Sequence, residues 1–113
     1  MTINTEQPLV SILVRTCQRP DVLRRALDSI WEQTYSNIEV VIVEDGKNAS
    51  EDYLRQQYQG KNYKYQATVE KIGRSAAGNR AMAMATGEYL NFLDDDDMLF
   101  PVRFRTLHKK LPD

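Results

Sequence analysis

The feature that most constrains this chain is an alternation. Four short strand-like segments are each followed by a segment with helical character. LVSILV (Leu9 to Val14) and IEVVIV (Ile38 to Val43) are apolar and rich in β-branched residues, as buried strands are. YKYQATV (Tyr63 to Val69) alternates tyrosine with polar residues and reads as a more exposed strand, and EYLNFL (Glu88 to Leu93) as a fourth. After the first strand, Arg19-Pro20-Asp21 opens a helix, with proline tolerated in its first turn. Val22, Leu23, Ala26, Leu27, Ile30 and Trp31 then form one apolar stripe. A short polar helix is expected from near Ser50 to before Gly60. Arg74 to Thr86 is alanine- and methionine-rich, with Gly87 placed as its stop. A last amphipathic helix is expected from near Pro101, carrying Val102, Phe104, Leu107 and Leu111. The order β-α-β-α-β-α-β-α predicts an α/β fold: a doubly wound, mostly parallel, Rossmann-like sheet with helices on both faces. At 113 residues the chain suits one domain over 1–113, with 1–7 expected as a flexible tail.

Such sheets bind ligands beyond the carboxyl ends of their strands, near the point where strand order reverses. Here RTCQR, EDGK and DDDD each follow a strand at that end. If the strands are parallel, all three lie along one edge. The four aspartates, Asp94 to Asp97, are the sharpest of the three, since neighbouring carboxylates repel and lose hydration beside apolar residues. Asp94 and Asp96 alternate with Asp95 and Asp97, so two acids can project to one side. Few, hard oxygen ligands suit Mg2+ or Mn2+ bound together with substrate phosphates. An EF-hand does not fit, because its central glycine and terminal glutamate are absent. A solvated acidic turn is the plainer alternative. Asp45 at a strand end can accept from the imide N–H of a base, and Gly46 permits a tight turn; a simple Asp-Gly turn explains the same residues. Arg15 and Thr16 end the first strand, either meeting a ligand or forming a turn.

Gly73 and Gly78 near a helix start can let backbone N–H groups approach a phosphate, though KIGRSAAG is not a Walker A sequence. Lys71, Arg74 and Arg80 are either phosphate contacts or surface charges. Met82 and Met84 read as packing, and His108 as an exposed residue of the last helix. Cys17 has no base beside it and is not read as a nucleophile.

Net charge is -1, with 42% hydrophobic and 27% charged residues, so no basic face argues for a nucleic-acid partner. One cysteine excludes an internal disulfide or a cysteine-rich zinc site and fits a reducing compartment. The N-terminus has no signal-peptide pattern, and no apolar run approaches the roughly 20 residues of a membrane span. A soluble, cytoplasmic domain is expected, peripheral to the membrane in a full-length context.

Taken in order, PLVSILVRTCQRPDVLRRALDSIWEQTYSNIEVVIVEDG and GRSAAGNRAMAMATGEYLNFLDDDDMLFP resemble the family 2 glycosyltransferases, from Pro8 to about Leu111. QTY-x-N-x-E and A-x-GEY-x-x-x-LD-x-DD carry most of the resemblance. It implies the GT-A fold, a nucleotide diphosphate sugar as donor, usually uridine-linked, and inverting transfer to a hydroxyl of a saccharide or other acceptor. By position, Thr16 falls in the loop that holds base and ribose, and Asp45 on the acid that contacts uracil. Arg74 is a candidate phosphate contact. Asp94, Asp95 and Asp96 cover the D-x-D motif, Asp96 as the direct metal ligand and Asp94 facing the ribose or a metal-bound water. Mn2+ or Mg2+ would stabilise the charge of the departing diphosphate.

Three positions depart from the family pattern. Cys17 stands where an aromatic residue can stack on the base, Glu44 where aspartate is common, and Gly78 in place of an arginine, removing a phosphate contact. Family members carry a further half with the acceptor site and the general base. A catalytic base is therefore expected beyond Asp113, and this stretch is expected to be the donor-binding half alone. Two other readings fit parts of the sequence. A receiver-like phosphoacceptor domain would use VIVEDG and FLDDDD. A non-catalytic nucleotide-sugar-binding module would pair two copies into a homodimer through bare apolar surface.

Overall fold

The computed structural model describes residues 8–33, 35–96 and 108–109. The elements run β1 (Val10–Thr16), α1 (Pro20–Trp31), β2 (Ile38–Glu44), α2 (Glu51–Gln57), β3 (Tyr63–Ala67), α3 (Arg74–Met84), β4 (Tyr89–Asp94) and β5 (His108–Lys109). The sheet order is β3-β2-β1-β4-β5. β1 to β4 are mutually parallel, and β5 pairs antiparallel with β4. The doubly wound, mostly parallel α/β sheet expected from the alternation is the observed one.

Side-chain alternation along the strands builds two cores. On one face Val10, Ile12, Val14, Ile38, Val40 and Ile42 meet Leu23, Ala26, Leu27 and Ile30 of α1 and Leu54 of α2. On the other, Leu13, Val41, Val43 and Leu90 meet Ala77, Ala81 and Ala85. That second face is lined by small residues, which lets α3 lie close to the strands. The close approach becomes important at Gly78.

Three strands run past their expected ends. β1 reaches Thr16, β2 Glu44 and β4 Asp94, so the polar segments begin on the last rungs of the ladder rather than after it. Register then pairs Thr16 with Glu44 and Arg15 with Asp94.

Several expectations are corrected. α3 stops at Met84, and Gly87 is not its cap. A Cβ at position 87 would lie 2.5 Å from Ser11 Oγ, 2.7 Å from Ser11 N and 2.9 Å from Leu9 O, so glycine is required because the chain passes against β1. β3 ends at Ala67, before Val69, whose φ of 74° places a β-branched residue in a strained left-handed conformation. Met82 is exposed rather than packed. His108 and Lys109 lie on a strand, not on a helix, because they add an antiparallel edge to β4. The rest of the expected final helix, Asp97 and the expected tail lie outside the described residues.

Candidate functional site

Strand order reverses at β1: β2 and β3 are laid down on one side of it, and β4 on the other. A cleft opens beyond the carboxyl ends of these strands at that reversal, roofed by the first turn of α3. Arg15, Thr16, Cys17, Arg19, Asp45, Arg74 and Asp94 to Asp96 line it. Arg15, Thr16, Cys17, Asp45 and Asp94 to Asp96, drawn from the three strand ends, thus meet in one place. Lys71 and Arg80 do not line the cleft; both are exposed.

The aspartates divide by alternation. Asp94 faces the α3 side, where its Oδ1 accepts from Arg15 Nη2 at 2.8 Å and its Oδ2 from Arg74 Nη2 at 3.1 Å. Asp95 faces the α1 side and is buried. Its carboxylate accepts from the Thr16 hydroxyl at 2.9 Å and from the Arg19 guanidinium, just before α1. Asp96 is exposed, and no hydrogen bond or ion pair engages it among the described residues. The three acids therefore hold three different states: paired twice at the cleft wall, buried and satisfied, and free.

Asp45 is reached from behind. Its Oδ1 accepts from the Ile72 N–H at 2.7 Å and its Oδ2 from the Gly73 N–H at 3.1 Å, so it fixes the start of α3 and with it Arg74. The Gly73 N–H, expected to approach a phosphate, is already taken by this carboxylate. Gly73 itself sits at φ 93°, where a side chain would be strained. Asp45 also donates its own N–H to Thr16 O at 2.7 Å, tying β2 to β1 at the cleft.

Two residues matter more than the sequence suggested. Glu44 is fully buried and accepts from the Gln18 N–H (2.8 Å), Ala49 N–H (3.2 Å), Ser50 hydroxyl (3.0 Å) and Tyr65 hydroxyl (2.7 Å). Burial, followed by the bond to Glu44 and its charge, pushes the Tyr65 hydroxyl up, so it remains a donor. Glu44 is thus the post around which the two loops flanking the cleft are tied. Its signal in the sequence is an acid at the end of an apolar run.

Arg15 is the other. Its guanidinium lies 5.8 Å from the Phe92 ring centroid and donates to Arg74 O at 3.3 Å. A Cβ at Gly78 would stand 3.5 Å from Arg15 Cδ and Nη1, ordinary contact distance. Arg15 reaches over Gly78 from the neighbouring strand, so a guanidinium stands at this wall although position 78 supplies none.

Asp96 and Asp94 are two hard carboxylates at the cleft. Among the described residues no group of three or more His, Cys, Asp or Glu is placed to hold a metal unaided. Such a donor set fits Mg2+ or Mn2+, which take one or two carboxylates and complete their shell with water and substrate phosphates.

A family model described as "Glycosyl transferase family 2" matches residues 11–113. The chain belongs to that family. Glycosyltransferase GlyA of Streptococcus pneumoniae serotype 4 is 32% identical over 103 residues, covering 90% of this chain and 15% of the relative. An uncharacterised glycosyltransferase of Rickettsia typhi is 35% identical over 102 residues, 89% of this chain and 31% of the relative. This glycosyltransferase domain thus spans less than a third of the length of either relative. Among solved structures, the mannosyltransferase PcManGT from Pyrobaculum calidifontis, in complex with GDP-Man and Mn2+, superposes with a TM-score of 0.74 at 27% identity. The overlay covers 83% of this chain and 29% of that one. S. aureus TarS 1–349 in complex with UDP-GlcNAc gives 0.73 at 25% identity, over 81% and 28%. The GT-A fold and the family resemblance agree with these findings, and the receiver-like reading is set aside. Among the described residues no helix is long and apolar enough to cross a membrane.

Proposed function

We propose that the cleft is the donor seat of a glycosyltransferase that takes a uridine diphosphate sugar with Mn2+ or Mg2+ and transfers the sugar, with inversion, to an acceptor hydroxyl. The observation that carries this reading is the convergence of Thr16, Asp45, Arg74, Asp94 and Asp96 at the strand-order reversal. The nucleotide-sugar complexes of the two superposable transferases support it.

In this reading Asp45 accepts from the base with a remaining lone pair while its two backbone bonds hold it still. Thr16 lies against base and ribose, oriented by Asp95 from beneath. Cys17 offers no ring, so base affinity rests on hydrogen bonds rather than stacking. Arg74, largely exposed and paired with Asp94, is placed to meet the diphosphate. Asp96 binds the cation directly, with Asp94 beside it. The cation neutralises charge on the leaving diphosphate when bound. Acceptor binding and removal of the acceptor proton are assigned to the part of such transferases that lies beyond this stretch. Titration with UDP by calorimetry tests the proposal: binding should require Mn2+ and disappear in Asp96→Ala. Equal UDP binding with and without Mn2+, or none in either, would contradict it.

A further inference from the structure

Resting on the donor-site reading, the geometry points to a built-in guard on Asp94. Both oxygens of that carboxylate carry a guanidinium, yet the two arginines are held differently. Arg15 is only 23% exposed, seated between the Gly78 face of α3 and the Phe92 ring. Arg74 is 74% exposed, and its guanidinium has Asp94 as its partner. Asp95 cannot substitute, because Thr16 and Arg19 already occupy it. A divalent cation approaching the cleft therefore finds, among the described residues of the acidic run, one carboxylate without a partner, Asp96, and beside it Asp94 covered by two guanidiniums.

A diphosphate reverses that balance. It offers several anionic oxygens to the guanidiniums, which bind phosphate strongly and in a forked geometry. We infer that Arg74 leaves Asp94 for the donor's diphosphate while Arg15 stays on it. One oxygen of Asp94 is thereby uncovered only when nucleotide is present. The consequence is coupled binding: nucleotide tightens the cation, and by linkage the cation tightens nucleotide by the same factor. Arg15 is a positioning residue in this scheme, and Arg74 the exchangeable clasp.

Mn2+ binding followed by electron paramagnetic resonance, without and with saturating UDP, reads this directly. In the wild-type chain UDP should tighten Mn2+ by at least about tenfold, within the usual range of coupling between sites. Arg74→Gln, at an exposed position that does not threaten the fold, should bind Mn2+ alone about threefold or more tightly and lose most of the coupling. Arg15→Gln should shift Mn2+ alone in the same direction. If UDP and Mn2+ bind the wild type but Arg74→Gln leaves both the Mn2+ affinity and the coupling unchanged, the guard is refuted and the donor site stands. If the wild type binds no UDP under either condition, the donor site fails and the guard with it.

Discussion

Two carboxylate clusters sit at opposite ends of the same parallel strands, and they are built on opposite terms. At the amino end, Glu39 of β2 is buried and fully served. It accepts from Ser11 Oγ at 2.6 Å, Thr86 N–H at 2.9 Å, Thr86 Oγ1 at 2.8 Å and Lys64 Nζ at 3.0 Å. Gly87 completes the knot by donating its N–H to Ser11 Oγ at 2.8 Å. At the carboxyl end, the aspartate cluster includes one acid with no partner among the described residues and another held by an exposed arginine. The first cluster spends all its hydrogen-bonding capacity inside the protein and stabilises the fold. The second keeps capacity in reserve, and that reserve is what a ligand can use.

The contrast can be broken from its structural side first. Glu39→Ala should cost about 3 kcal/mol in chemical denaturation, because the fully buried Ser11 hydroxyl loses its acceptor and Lys64 its ion-pair partner. The same cluster sets an acid limit. Burial alone would raise the Glu39 carboxyl, but the donors from Ser11, Thr86 and Lys64 outweigh it and hold it at about 2. Its folded value is thus depressed, so its contribution is complete above the unfolded value, near 4.5, and is lost as pH falls toward 2. That contribution should be about 3 kcal/mol, read as a fall in stability between neutral and acid pH that Glu39→Gln abolishes. Gly87→Ala should cost about 2 kcal/mol by thermal melting, because the added carbon meets β1 backbone that cannot move aside. The smallest change is expected at the open end. Asp96→Ala should leave stability within about 0.5 kcal/mol while removing metal-dependent nucleotide binding. A large loss of stability there would mean that Asp96 belongs to the structural class after all.

The fold was legible because its signals are local and repeated. β-branched runs separated by helical stripes leave few topologies open. The edge on which RTCQ, EDGK and DDDD gather was legible for the same reason. What escaped was side-chain partnering across the sheet. Ser11 and Glu39 each interrupt an apolar run, and they are direct register partners. Only the paired register reveals that one satisfies the other. Arg15 stayed open between a ligand contact and a turn because its partner, Asp94, is distant in sequence and its resting place exists only where α3 shows Gly78 to the strand. His108 and Lys109 were assigned to a helix on the spacing of their apolar neighbours, whereas an unpaired edge of β4 takes them as a strand.

Amide chemical-shift mapping by NMR with UDP and Mg2+ tests the division between the two ends most directly. The account predicts shifts gathered at Arg15 to Arg19, Asp45 and Gly46, Gly73 to Ala77 and Leu93 to Asp96, with Ser11, Glu39, Thr86 and Gly87 unmoved. Shifts centred on the Glu39 end, or none at the strand-order reversal, would contradict it.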